Sequence, residues 1–273
     1  MGILNVTPDS FSDGGRWLDP DAAVARGLEM VAEGADVVDV GGESTRPGAA
    51  PVDEAEELRR VVPVIESLSP HVRVSVDTRK AAVAERAVEA GATLVNDVSA
   101  TLDEVAAAAG VGWVAMHMRG EPRTMQRAPS YVDVVDEVEA FLVARAERAR
   151  VAGVEEVWID PGIGFGKTGG HNLALLRRIR RLVATGYPVV VGASRKSFLG
   201  RLTAEEGEAP APVDDRLEAS LASAVWAMDQ GVSMVRAHDV RATVEAAMLV
   251  GPGLVGPGLV GPGLAGSKSG GAG

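Results

Sequence analysis

The chain contains no cysteine, which excludes disulfide scaffolds, zinc-thiolate sites and thiol nucleophiles. That absence suits a reducing, cytoplasmic location. Positive charge is also scarce: 27 Lys and Arg stand against 38 Asp and Glu, giving a net charge of -11. That charge argues against non-specific binding to nucleic acid or to an anionic membrane surface, and any anionic ligand must be held by local groups. Lysine is nearly missing, with Lys80, Lys167, Lys196 and Lys268 the only four, so arginine carries most of the cationic work. Residues 2–6 are too short and too soon interrupted to be the apolar core of a signal peptide, and Val6 stands where a myristoylation signal wants Ser or Thr. The one long uncharged stretch starts near Leu249 and repeats Val-Gly-Pro-Gly-Leu. Its glycines and prolines would leave backbone groups unsatisfied in lipid, so residues 251–273 read as a flexible tail and not as a membrane span.

The 273 residues fit one large domain or two small ones with an ample core, and residues 1–250 are read as a single domain. Short Val- and Ile-rich runs alternate with longer amphipathic stretches, the pattern of strand-helix units around a buried parallel sheet. Strands are expected at 2–6, 35–41, 72–78, 93–99, 113–118, 157–162, 188–194 and 234–240. Helices are expected at 20–33, 54–67, 80–90, 132–152, 172–184 and 216–230. Eight such units predict a TIM barrel, with a doubly wound open sheet as the runner-up. Polar residues end nearly every strand: Asn5, Glu43 to Arg46, Asp77, Asn96 and Asp97, His117, Asp160, Ser194 to Lys196, and Arg236 with His238. Chemistry spread over many strand ends favours the barrel, whose sites form at that face.

Several segments carry possible chemistry. The loop 5–15, Asn-Val-Thr-Pro-Asp-Ser-Phe-Ser-Asp-Gly-Gly, is rich in side-chain oxygens, and Asn5 offers a neutral oxygen to a hard cation such as Mg²⁺. In 41–48, Gly-Gly-Glu-Ser-Thr-Arg-Pro-Gly, glycines let backbone N–H groups approach an anion that Arg46 can grip. The run 160–168, Asp-Pro-Gly-Ile-Gly-Phe-Gly-Lys-Thr, imitates two nucleotide-binding motifs and matches neither. Pro161 stands where a Walker A loop opens with Gly, and no acidic residue follows the glycines at dinucleotide spacing. Lys196 stands where an apolar strand gives way to a helix, a place that hints at an anionic or electron-rich ligand. Arg236 and His238, two apart, share one face of the last strand, towards the barrel interior, where a phosphate would suit them. His117 and His171 show no metal-ligand spacing, and a structural role is the better reading of both.

Together these segments resemble the dihydropteroate synthase family from residue 2 to about 249. The motifs that carry the resemblance are 5–15, 39–48, 75–78, 95–99, 116–118, 160–167, 192–197 and 235–240. The resemblance implies a TIM barrel that condenses 6-hydroxymethyl-7,8-dihydropterin diphosphate with p-aminobenzoate, giving 7,8-dihydropteroate and pyrophosphate, with Mg²⁺ as cofactor. It implies that Asp77, Asn96, Asp160 and Lys196 hold the pterin, with Met116 and Phe165 in apolar and stacking contact. Asn5, the metal ligand, would bind the diphosphate with Arg236 and His238, and Phe11, Thr45, Arg46, Pro47 and Ser197 would line the p-aminobenzoate pocket. Catalysis would rest on Lys196, Arg236, His238 and Asp77 without a covalent intermediate, the helix at Ser197 would attract the p-aminobenzoate carboxylate, and sulfonamides would inhibit. A homodimer is the family's usual state. One departure stands out: where the family commonly has two glycines after Val98-Ser99, this chain has Ala100-Thr101. The alternatives are a pterin-binding corrinoid methyltransferase, which would not need Arg236, His238 and Lys196 as an anion-holding set, and a catalytically silent pterin-binding paralogue.

Overall fold

The computed structural model describes residues 1–7, 19–44, 49, 51–204 and 207–250. Phe11, Thr45, Arg46, Pro47 and the 251–273 tail lie outside the described residues. In chain order the elements are β1 (Gly2–Asn5), α1 (Pro20–Ala32), β2 (Val37–Gly41), α2 (Glu54–Leu68), β3 (Arg73–Thr78), α3 (Ala81–Glu89), β4 (Leu94–Asp97), α4 (Asp103–Ala109), β5 (Gly112–Met116) and α5 (Val134–Val151). They continue with β6 (Val157–Asp160), α6 (Gly169–Arg177), α7 (Arg180–Val183), β7 (Val190–Val191), α8 (Ser197–Leu202), a 3-10 turn (Val213–Asp215), α9 (Leu217–Asp229), β8 (Met234–Val235) and α10 (Val240–Val250).

Strands β1 to β6 form one parallel sheet in sequence order, and β7 pairs in parallel with β8. Two bridges join the pieces. Ile159 bridges to Val189 beside β7, and Gly2 bridges to Ala237 beside β8. Backbone bonds from Ile159 N to Pro188 O, from Ile3 N to Ala237 O and from Ala237 N to Met1 O, each 3.0 Å, close both seams. The eight strands thus form a TIM barrel and the open-sheet alternative falls. Strands 7 and 8 are much shorter than their apolar runs predict, because only two residues of each pair in a ladder before the chain turns into the site.

Alternation along the strands assigns two kinds of core. Residues such as Val38, Val40, Val74, Val76, Val95, Ala115 and Ile159 point outward and are covered by helices. Inside the barrel, Val37, Leu94, Val114 and Val190, with Met1, Trp158 and Met234 against them, form an apolar plug. One step further along the same inward rows stand Asp39, Asn96, Met116, Asp160 and Arg236. The plug supports a polar floor above it. No helix among the described residues is long and apolar enough to cross a membrane.

Candidate active site

The inward polar residues meet at the carboxyl ends of the strands. Asn5, Met116 and Asp160 are the last residues of β1, β5 and β6, while Asp77 and Asn96 are next to last in β3 and β4. Asp77 is the register partner of Asn96, and Met116 of Asp160, so neighbouring strands deliver these side chains at one level. Arg236, one residue beyond β8, reaches across the ring. Its Nε donates to Asp39 Oδ2 at 2.6 Å and its Nη2 to Asp77 Oδ2 at 2.7 Å. Asn96 Nδ2 donates to the same Asp39 Oδ2 at 2.9 Å, which leaves the Asn96 carbonyl oxygen as the group offered to a ligand.

Asp39, Asp77 and Asp160 place three carboxylates inside one barrel mouth, all buried. Burial pushes the Asp77 carboxyl up to about 7, with Arg236 pulling the other way and Asp39 and Glu57 adding to the rise. Burial also raises Asp160, against the Gly162 N–H that bonds its Oδ1 at 2.7 Å and the fields of Lys196 and Arg236. Burial opposes the charge on Arg236 as well, but the carboxylates of Asp39 and Asp77 more than offset it, and its pKa is raised. Asp39 Oδ1, Asp77 Oδ1 and Ser75 Oγ are buried with no hydrogen-bond partner among the described residues. Acceptors placed this way suit a flat ligand rich in N–H donors.

The cationic side of the mouth comes from the turn after β7. Lys196 lays its ammonium over the Phe165 ring, 4.1 Å from the centroid, in a cation–π contact. His238 Nδ1 lies 3.0 Å from Ser194 Oγ, which also accepts the His238 backbone N–H at 3.2 Å. The serine hydroxyl can therefore donate to Nδ1 and leave Nε2–H facing outward. Burial, assisted by the field of Arg236, lowers the His238 imidazole to about 3, so it acts as a neutral donor. Ser197 is exposed at the first position of α8, a helix of six residues.

Two residues with no role assigned from sequence alone prove central. Asp39 organises both Asn96 and Arg236, and the alternation that paired Arg236 with His238 would have found it between Val37 and Gly41. Asp97 accepts N–H groups of Ser99, Thr101 and Leu102 at 2.9, 2.6 and 2.6 Å and the Trp113 indole N–H at 3.1 Å, and so shapes the turn after β4. Ala100 sits in that turn with φ of 53°, left-handed backbone that glycine adopts more readily. The turn is kept despite the alanine. Both histidines make contacts within the protein: His117 Nδ1 meets Lys167, and His171 closes a capping box with Thr168 at the start of α6.

A family model described as pterin binding enzyme matches residues 1–238. The dihydropteroate synthase of Mycobacterium leprae is 52% identical over 260 residues, covering 92% of each chain. This chain belongs to the dihydropteroate synthase family. A Yersinia pestis dihydropteroate synthase crystallised as a sulfonamide drug complex superposes with a TM-score of 0.84, at 45% identity and 91% coverage of both chains. The enzyme from Xanthomonas albilineans in complex with 7,8-dihydropteroate is 44% identical, with a TM-score of 0.79 over 91% of this chain and 90% of that one. Membership of the dihydropteroate synthases, transferases built on a TIM barrel, agrees with the ring of strands and the acidic mouth described above.

Proposed function

We propose that the chain condenses 6-hydroxymethyl-7,8-dihydropterin diphosphate with p-aminobenzoate to form 7,8-dihydropteroate and pyrophosphate. The observation that carries this reading is the convergence of unpaired buried acceptors on Asp39 and Asp77 with Asp160, Asn96 and the Lys196–Phe165 stack at one end of the barrel. Asp160 accepts the adjacent N–H donors of the pyrimidine edge, Asn96 and Asp77 meet other ring heteroatoms, and Lys196 donates to the carbonyl side. Met116 and Phe165 supply apolar contact. Arg236 and neutral His238 donate to the diphosphate.

The pterin C–O bond breaks with its electron pair leaving on pyrophosphate, and the exocyclic methylene becomes cationic. The fixed carboxylates of Asp39, Asp77 and Asp160 stabilise that cation without having to reorganise. The aniline nitrogen then forms the new C–N bond and releases a proton. Phe11, Thr45, Arg46, Pro47 and Ser197 are the residues we assign to p-aminobenzoate, whose place a sulfonamide would take.

Among the described residues no group of three His, Asp or Glu side chains is placed to hold a metal. Asn5, half-buried at the end of β1, offers one neutral oxygen, which fits a Mg²⁺ ion that arrives on the diphosphate. Such an ion supplies charge neutralisation to the leaving group. A second copy is the proposed partner, and Leu202, Val213, Leu217, Trp226, Met248 and Leu249, exposed on α8, the 3-10 turn, α9 and α10, are the apolar side chains it would cover. The cytoplasm is the location that fits a cysteine-free chain.

Pyrophosphate release from the pterin diphosphate tests the reading. Release should require both p-aminobenzoate and Mg²⁺, stop with excess chelator, and be inhibited by a sulfonamide in competition with p-aminobenzoate. Pterin binding without pyrophosphate release would favour a silent paralogue instead. Light scattering that reports a monomer at micromolar concentration would remove the proposed dimer.

A further inference from the structure

Lys167 belongs to none of the groups that meet the substrates in the proposed reaction, yet it is one of the chain's four lysines and is 2% exposed. Burial of a lysine demands compensation. Its Nζ lies 2.9 Å from His117 Nδ1, 3.2 Å from His117 O, 3.0 Å from Gly162 O and 3.0 Å from Phe165 O. Three carbonyl oxygens and an imidazole nitrogen face it, and burial lowers the amine to about 7, with Asp160 pulling the other way and the field of Lys196 adding to the fall. All three carbonyls accept from its N–H groups. His117 is itself fixed, with burial lowering it to about 3 and the Phe141 ring set edge-on against it at 5.0 Å.

The contacts join two loops at the barrel mouth. His117 follows β5, whereas Gly162 and Phe165 belong to the loop after β6. That loop has been pressed onto its neighbour. Gly162 and Gly166 take φ of 63° and 61°, and a Cβ at either would land on the carbonyl oxygen of His117 or Arg119. Further backbone groups of the loop are tied as well: Gly164 N donates to Asn172 Oδ1 at 2.8 Å, Gln126 donates to Gly164 O, and the Tyr131 hydroxyl donates to Gly166 O at 2.9 Å. The loop carries Phe165, whose ring lies under Lys196. A Cβ at Gly164 would stand 3.2 Å from Lys196 Cδ, so the lysine stem packs along the same loop.

We infer that Lys167 is a positioning residue, whose buried amino group clamps the β6 loop to His117 so that Phe165 presents its ring to Lys196 at the pterin end of the site. The inference rests on the proposed synthase reaction for its catalytic consequence. The clamp itself stands on the contacts.

The test combines hydrogen exchange with a double-mutant cycle. Lys167→Met keeps the stem and removes the donors, so exchange of the amides in residues 162–166 should rise while that of β2 and β3 is unchanged. Misplacement of Phe165 should lower kcat/KM for the pterin diphosphate by about 10- to 100-fold. KM for p-aminobenzoate should move little. In a Phe165→Ala background the same substitution should have almost no further effect on kcat/KM, because the ring it positions is gone; a merely structural lysine would lower both backgrounds by the same factor. Equal losses in the two backgrounds, or unchanged exchange at 162–166, overturn the inference. If the unaltered chain proves to have no synthase activity, the functional reading fails. Hydrogen exchange then decides the clamp, with calorimetric binding of 6-hydroxymethylpterin to the Lys167 and Phe165 variants replacing the kinetic cycle. Should Lys167→Met not fold, Lys167→Gln keeps two N–H donors and carries the same measurements at smaller amplitude.

Discussion

Asp160→Asn should separate activity from stability in opposite directions. The side chain is buried, its Oδ1 accepts the Gly162 N–H at 2.7 Å, and burial raises its pKa despite the nearby Lys196 and Arg236. The barrel therefore holds the carboxylate at a cost that its cations do not fully offset. Asparagine keeps nearly the same volume and still accepts from Gly162, while removing the desolvated charge. Folding stability should stay level or rise by up to about 1 kcal/mol, worth up to about 4 °C in Tm for a chain of this size. Activity should collapse, because the new N–H₂ group faces the N–H donors that the carboxylate accepts in the proposed complex. Two charge-assisted hydrogen bonds at about 1.5–3 kcal/mol each correspond to a loss of about 150- to 25,000-fold in kcat/KM. Pyrophosphate release and calorimetry on the same preparation measure both quantities. Turnover within about threefold of the unaltered chain would refute the assignment of Asp160 to the pterin, and a clear drop in Tm would refute the claim that its burial is unfavourable.

Other outcomes follow from the same geometry. The ring protons of His117 and His238 should show no titration between pH 5 and 8 by NMR, since burial holds both imidazoles at about 3; a midpoint near 6.5 would contradict the burial. Because these folded values lie below the unfolded one, the neutral histidines contribute stability that is complete above about pH 6.5 and lost as pH falls towards 3, up to about 2 kcal/mol each by pH 5. Asp77, raised to about 7, works in the opposite direction between pH 7 and 4, so Asp77→Asn should steepen the acid loss of Tm. Gly162→Ala should cost more than about 3 kcal/mol or abolish folding, as its methyl meets a backbone oxygen at a left-handed residue; wild-type melting would show that the two loops can separate. Ala100→Gly should change stability by less than about 1 kcal/mol, since relief of left-handed strain offsets added chain entropy and a lost buried methyl group.

The sequence by itself determined the strand-helix alternation, the barrel and the ends of the strands where the chemistry collects. Strand burial on both faces and a polar residue at each strand's end are local properties, visible one segment at a time. It also marked Asp77, Asn96, Asp160, Lys196, Arg236 and His238, because a polar side chain at the end of an apolar run is conspicuous. What only the tertiary structure decided is which of these groups touch. Arg236 chooses Asp39 and Asp77 across 197 and 159 residues of sequence, and Lys167 joins two loops 50 residues apart. Such pairings depend on how the ring closes, and no spacing along the chain encodes them. The shortness of β7 and β8 has the same origin: apolar runs favour extended chain, but the hydrogen-bonded length is set by the neighbouring strand available to pair.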